Sequence, residues 1–215
     1  MYLEVRVTLN NQIIVLKTVK NSTSFYNKSS VIYNLCLDWI FNTGRNKVAR
    51  FLNTRKNINV LEIGSGTGSF IKCLNVDLTY VGIDGSIKMH NISKENFPNH
   101  KFLNVKYEDY HPSCKFDVIV INYTLSVVDD PKDLILKVSG WLNSNGKVYI
   151  VNHFSTESWF YKSLQKVSVY FGYNAYFPFN PNLFSNYFNI TIFESVNLFG
   201  AWKLIELTLK KDETE

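Results

Sequence analysis

Apolar positions along the chain follow two periods, and the change between them organises it. Over residues 3–19 apolar and polar positions alternate loosely on either side of Asn10-Asn11, the pattern of a β-hairpin with the two asparagines as its turn. Residues 21–24 form a polar joint, after which Ser29 or Ser30 is placed to cap a helix over 31–41. Nine of those eleven positions are apolar or aromatic, leaving Asn34 and Asp38 as a thin polar stripe. A helix that apolar is buried or lies against lipid. Asn42-Thr43-Gly44 breaks the run, and 45–53 reads as a second helix with Val48, Phe51 and Leu52 facing inward.

From residue 58 onward short β-type apolar runs alternate with helical segments. Strands are expected at 58–63, 79–84, 101–105, 116–122 and 146–152, with helices at 68–73, 86–96 and 131–142 between them. This alternation predicts a parallel sheet covered on both faces. Asn143-Ser144-Asn145-Gly146 reads as the turn after a helix, with Gly146 taking positive φ. Residues 156–171 are helical in pattern, and 188–196 and 201–209 read as two closing strands.

Composition narrows the class. With 215 residues, of which 46% are hydrophobic, the chain suits one soluble domain with a substantial core. No apolar run approaches the roughly 20 residues that span a bilayer, and no leader-like segment opens the chain, so a cytoplasmic protein is expected. Cys36, Cys73 and Cys114 form no C-x-x-C pair, so no metal site is expected. Charge is uneven: residues 1–60 hold nine Lys/Arg against Glu4 and Asp38, whereas the whole chain carries +5. A basic N-terminal quarter points to an anionic partner surface, lipid or nucleic acid.

Candidate chemistry begins at Val60-Leu61-Glu62-Ile63-Gly64-Ser65-Gly66-Thr67-Gly68, followed by Tyr80-Val81-Gly82-Ile83-Asp84. An apolar run ending in an acid, alternate glycines and a second run ending in an acid make a strand-loop-helix-strand unit around a ligand. The glycines permit sharp turns and close approach, and Asp84 falls where a carboxylate takes both hydroxyls of a ribose. A dinucleotide loop would have its third glycine at 69, which is Ser69.

The E-x-G-x-G-x-G spacing resembles motif I of the class I S-adenosylmethionine (SAM) methyltransferases. That resemblance covers about residues 25–210 and implies a Rossmann-like α/β fold with a seven-stranded, mostly parallel sheet and helices on both faces. It sets residues 1–24 apart as an extension and leaves 25–215 as the methyltransferase domain, with helices over 28–54 facing substrate or membrane. It implies SAM as cofactor, held by Glu62, Gly64, Ser65, Gly66, Gly68 and Asp84. Asp84-Gly85-Ser86-Ile87-Lys88-Met89 is similar to the family's D-x-S-x-x-M, which places Gly85 and Met89 against the adenine. Where the family usually has Asp-Ala after its third strand, this chain has Lys106-Tyr107-Glu108-Asp109. Either Asp109 substitutes there, or Tyr107 contacts the ring through its backbone. Phe116-Asp117-Val118 and Asn122-Tyr123 match the fourth motif, beside the reactive sulfonium.

Leu125-Ser126-Val127-Val128-Asp129-Asp130-Pro131, Asn152-His153-Phe154, Tyr33-Asn34 and Gly44-Arg45 narrow the resemblance to bacterial phosphatidylethanolamine N-methyltransferases, although relatives have Tyr-Asp where Tyr33-Asn34 stands. This implies a phospholipid or other small-molecule amine as acceptor, and an enzyme held peripherally on the inner face of the membrane through its anionic lipids. Thirteen of the 35 residues from Phe154 to Phe188 are aromatic, more than twice the chain average of 15%. Aromatic faces hold methylated ammonium groups, and their edges lodge among lipid headgroups. His153 is a candidate base for the ammonium proton, with Tyr26 and Tyr33 as alternatives for orienting the amine. Methylation of a soluble quinone precursor or natural product is the rival reading. An RNA methyltransferase is disfavoured, and no nucleic acid partner is expected, because Asn122-Tyr123-Thr124-Leu125 stands where an Asn/Asp-Pro-Pro-Tyr motif would be. A SAM-binding module without catalysis is the remaining class.

Overall fold

The computed structural model describes residues 4–9, 12–17, 38–75, 78–155, 177–196 and 202–211. Tyr26, Tyr33, the helix expected over 156–171 and most of the aromatic-rich segment lie outside the described residues. Strand β1 (Glu4–Leu9) pairs antiparallel with β2 (Gln12–Lys17), with Glu4 opposite Lys17, as the N-terminal alternation predicts.

Helix α1 spans Asp38–Leu52 without a break at Asn42-Thr43-Gly44, which corrects the two-helix expectation. A helical glycine costs about 1 kcal/mol relative to alanine, whereas a fully buried large apolar side chain contributes about 1.5–3 kcal/mol. Phe41, Val48 and Leu52 are all buried on this helix, so packing outweighs local propensity. Gly44 has a packing role instead: a Cβ there would stand 2.3 Å from the Tyr123 hydroxyl and 2.6 Å from Val151 Cγ1.

The remaining elements follow the expected order: β3 (Asn59–Ile63), β4 (Thr79–Asp84), α2 (Ile87–Asn96), β5 (Lys101–Asn104), β6 (Phe116–Asn122), α3 (Pro131–Trp141), β7 (Leu142–His153), β8 (Phe188–Ser195) and β9 (Trp202–Leu209). Capping is local. Ser86 accepts from the Met89 N–H at the start of α2, and Asp130 accepts from Lys132 and Asp133 N–H, with Pro131 opening α3. The helix expected after the glycine loop is only a 3₁₀ turn, Ser69–Cys73, because the chain returns to extended backbone at Leu74. The turn expected at 143–146 is also corrected, since strand geometry begins at Leu142. Gly146 is not among the left-handed glycines. A Cβ there would meet Leu142 Cγ at 2.6 Å, so room rather than φ calls for glycine.

The main sheet has seven strands in the order β5-β4-β3-β6-β7-β9-β8, parallel throughout except for β9, which runs antiparallel to both neighbours. Alternation along each strand sorts side chains onto two covered faces. Leu61, Ile63, Ile119 and Ile121 pack with Leu134, Ile135 and Val138 of α3. Val60, Tyr80, Val118 and Val120 pack with Phe41, Val48 and Leu52 of α1. By the same alternation Glu62 and Asn122 fall on the α1 side. Strand order reverses between β3 and β6, so a crevice opens beyond their carboxyl ends, where sheets of this kind bind ligands.

Candidate active site

The loop leaving β3 is shaped by three left-handed glycines, Gly64, Gly66 and Gly68, with φ of 71°, 55° and 77°. Their roles differ. A Cβ on Gly64 would stand 2.1 Å from Thr124 Oγ1, so this glycine lets the β3 loop lie against the loop after β6. A Cβ on Gly68 would come within 2.9 Å of the Phe97 and Phe102 rings, and Gly68 is not among the residues that line the cleft. Nothing stands within 4 Å of a Cβ built on Gly66. That open space faces the cleft.

Glu62, Gly64, Ser65, Gly66, Asp84, Gly85, Met89, Tyr107 and Asn122, all singled out in the sequence, line one cleft that opens to solvent. Arg45, Thr124, Glu108 and Asp129 also line it, and sequence reasoning gave none of them a site role. The pairing of a mid-helix glycine with arginine at 44–45 was the available signal for Arg45. At the position left open after β5, Glu108 lines the cleft and Asp109 does not. Tyr107 is buried, and its hydroxyl donates to the Asp130 carbonyl at 3.0 Å. His153 is buried at the end of β7 opposite Trp202 of β9 and is not among the residues that line the cleft, and its part as the base is a proposal. Among the described residues no group of three or more His, Cys, Asp or Glu could hold a metal ion.

Two carboxylates are held in contrasting ways. Asp84 accepts the Gly66 N–H on one oxygen and the Ser86 N–H on the other, both at 2.8 Å. Burial raises its pKa and the two N–H bonds oppose the rise. Each oxygen keeps a lone pair for a hydroxyl donor. Glu62 is buried, accepting from the Tyr80 hydroxyl on Oε2 and from Asn122 Nδ2 at 3.0 Å on Oε1. Desolvation pushes its pKa up to about 7 against the lowering effect of those bonds and of nearby Arg45. Asn122 Oδ1, on a buried side chain, has no hydrogen-bond partner. Tyr123 follows at φ 59°, a left-handed conformation that costs a bulky residue on the order of 1–3 kcal/mol.

The raised pKa of Glu62 has a testable sign. The folded value lies above the unfolded one, so the unliganded protein loses stability as pH rises from about 4.5 to about 7 and stays at the lower level above that. A cation beside Glu62 favours the carboxylate and lowers that pKa, so cation binding releases a proton below pH 7 and strengthens as pH rises. Thermal unfolding across this window should show a steeper decline for the wild type than for Glu62→Gln. Parallel curves would exclude the carboxyl as the source.

These features fit SAM: open space before Gly66, anchored lone pairs on Asp84 and a buried acid for an ammonium. The comparisons agree. Residues 39–196 match the family described as Methyltransferase domain. A phosphatidylethanolamine N-methyltransferase of Cereibacter sphaeroides is 28% identical over 137 residues, covering 60% of this chain and 67% of that protein. A malonyl-(acyl-carrier protein) O-methyltransferase 1 of Ilyobacter polytropus is 31% identical over 105 residues, covering 44% of this chain and 38% of that protein. Among solved structures, a SAM-dependent methyltransferase from Thermotoga maritima, described as a possible histamine N-methyltransferase, superposes with a TM-score of 0.67 at 19% identity, covering 87% of this chain and 99% of that one. At such identity the likeness concerns the fold. Fold and site together define a SAM-dependent methyltransferase. The chain belongs to the methyltransferase domain family.

Proposed function

We propose that this chain methylates the headgroup nitrogen of phosphatidylethanolamine and its partly methylated products, working at the cytoplasmic face of a membrane. The observation that carries the reading is the cleft's acceptor chemistry. Asn122 Oδ1 is a buried acceptor without a partner, and Glu108 and Asp129 add carboxylates to the same lining. Arg45 and Lys106 line it as well, so the two carboxylates favour an ammonium only at their own part of the cleft. The Cereibacter relative, an N-methyltransferase by name, supports the same acceptor class. The positive balance of the N-terminal quarter favours anionic lipid at about 1 kcal/mol for each basic residue near the surface. Among the described residues no helix is long and apolar enough to cross a membrane, so peripheral attachment is proposed.

When bound, SAM supplies a methyl carbon made electrophilic by its sulfonium. Asp84 would hold the ribose hydroxyls, and Gly85, Met89 and Tyr107 would lie beside the adenine. Glu62 would hold the cofactor's ammonium as a carboxylate, the ammonium itself favouring loss of the Glu62 proton. Asn122 bridges to Glu62 with its amide nitrogen and so helps hold that carboxylate in place. An ethanolamine ammonium has no lone pair, so one proton must leave before nitrogen attacks. The cleft opens to solvent, where that proton can pass to water, while Tyr26 and Tyr33 stay candidates for orienting the amine. Alignment in the cleft supplies much of the rate without a dedicated base.

The test is methyl-labelled SAM incubated with the protein and vesicles containing either phosphatidylethanolamine or only phosphatidylcholine. Label should enter the lipid fraction only with phosphatidylethanolamine, in products of increasing methylation. Label that moves instead into a soluble amine from a metabolite extract would replace the lipid reading with a small-molecule one. The partial likeness to a malonyl-(acyl-carrier protein) O-methyltransferase keeps other acceptors in that comparison.

A further inference from the structure

The contact between α1 and the end of β6 is closer than packing alone requires. Tyr123 is buried, its N–H donates to the Val151 carbonyl at 2.6 Å, and its hydroxyl donates to the Phe41 carbonyl at 3.0 Å. Its ring centroid lies 4.3 Å from that of Phe41. Only glycine at 44 lets the helix approach, because a Cβ would stand 2.3 Å from the Tyr123 hydroxyl. A tyrosine kept at φ 59° is conformationally costly, so the surroundings hold it there for its side chain. The next residue on the helix is Arg45, which is buried and lines the cleft near Glu62.

We propose that Tyr123 is a positioning residue that sets the depth and rotation of α1, so that the Arg45 guanidinium stands in the cleft to receive the carboxylate of the cofactor's amino-acid end. A guanidinium offers five N–H donors in a planar fork that matches a carboxylate, and burial strengthens that pairing. Glu62 and Arg45 then divide the two charges of that end between them, acid to ammonium and cation to carboxylate. Tyr123 lines the cleft itself and feels the Arg45 charge, and its hydroxyl is engaged on the Phe41 carbonyl. It acts through the helix, tying the strand end that carries Asn122 to the helix that carries Arg45. This inference rests on the cofactor placement proposed above.

The experiment is a double-mutant cycle on SAM affinity, measured by calorimetry on wild type, Tyr123→Phe, Arg45→Met and the double variant, with thermal unfolding recorded for each. Tyr123→Phe keeps the ring and removes only the hydroxyl. It should weaken SAM binding roughly 5- to 10-fold where Arg45 is present, the size of one lost hydrogen bond, and less than about twofold in the Arg45→Met background. Turnover at saturating SAM should change little, because the effect lies in binding. A purely structural role would lower the unfolding temperature and weaken binding equally in both backgrounds. Equal losses, or none, would overturn the inference while leaving the cofactor placement intact. Wild-type protein that fails to bind SAM would overturn the placement and this inference with it. Should Tyr123→Phe not fold, Gly44→Ala disturbs the same contact from the helix side and should show the same dependence on Arg45.

Discussion

Replacing Asp84 with alanine is expected to weaken SAM binding by about 2–3 kcal/mol, roughly 30- to 150-fold, through loss of charge-assisted hydrogen bonds to the ribose. The structure explains why the effect should be large. The Asp84 carboxylate is fixed before any ligand arrives, one oxygen on the Gly66 N–H and the other on the Ser86 N–H, so little ordering remains to be done on binding. It also ties the glycine loop to the tip of β4, so its removal frees two backbone donors beside the cleft. Asp84→Asn separates these roles, since the amide can keep one of the N–H contacts while losing the charge, and it should fall between wild type and alanine. Calorimetry on variants checked for native circular dichroism measures both. Unchanged affinity in a folded Asp84→Ala protein would remove Asp84 from the cofactor site.

The second large effect contrasts two glycines of one loop. Gly64→Ala is expected to cost about 2–4 kcal/mol of stability, combining left-handed strain with an overlap against Thr124. The overlap is with Thr124 Oγ1 at 2.1 Å, in a hydroxyl already engaged with the Asn122 carbonyl. Gly66→Ala shares the left-handed backbone but meets nothing within 4 Å, so only the strain, about 1 kcal/mol, should appear in thermal unfolding. Its methyl group instead projects into the space assigned to SAM, and affinity should drop at least tenfold. Measuring unfolding and SAM affinity on both variants checks this. A Gly66→Ala protein that binds SAM normally would show that the open space is not the ligand's.

Features encoded over a few residues were legible in the sequence, and features made by packing were not. The alternation placing Glu62 and Asn122 at strand ends and the acid at Asp84 both depend on immediate neighbours. The helix was split at Asn42-Thr43-Gly44 because local propensity reads a break there, while burial of Phe41, Val48 and Leu52 holds it together. Arg45 looked like one more of nine basic residues until α1 was docked against β6. Gly68 shares its spacing with Gly64 and Gly66, and only the Phe97 and Phe102 rings reveal that it serves packing. His153 was a candidate base because an ammonium proton must leave and an imidazole titrates near neutral pH. It ends β7, however, one strand beyond β6 and opposite Trp202, outside the lining of the cleft at the β3–β6 switch. Sheet order decides that, and it is not written in any local motif.

SAM is assigned to the cleft between the β3 loop, the tip of β4 and the end of β6. Amide NMR on the protein titrated with SAM tests it most directly, since the Gly66 and Ser86 N–H groups report on Asp84 and the Asn122 side-chain amide reports on Glu62. These three signals should shift together along one binding curve that saturates at a single equivalent, with Gly68 moving far less. Saturable binding that leaves all three unmoved, or no binding at all, would contradict it.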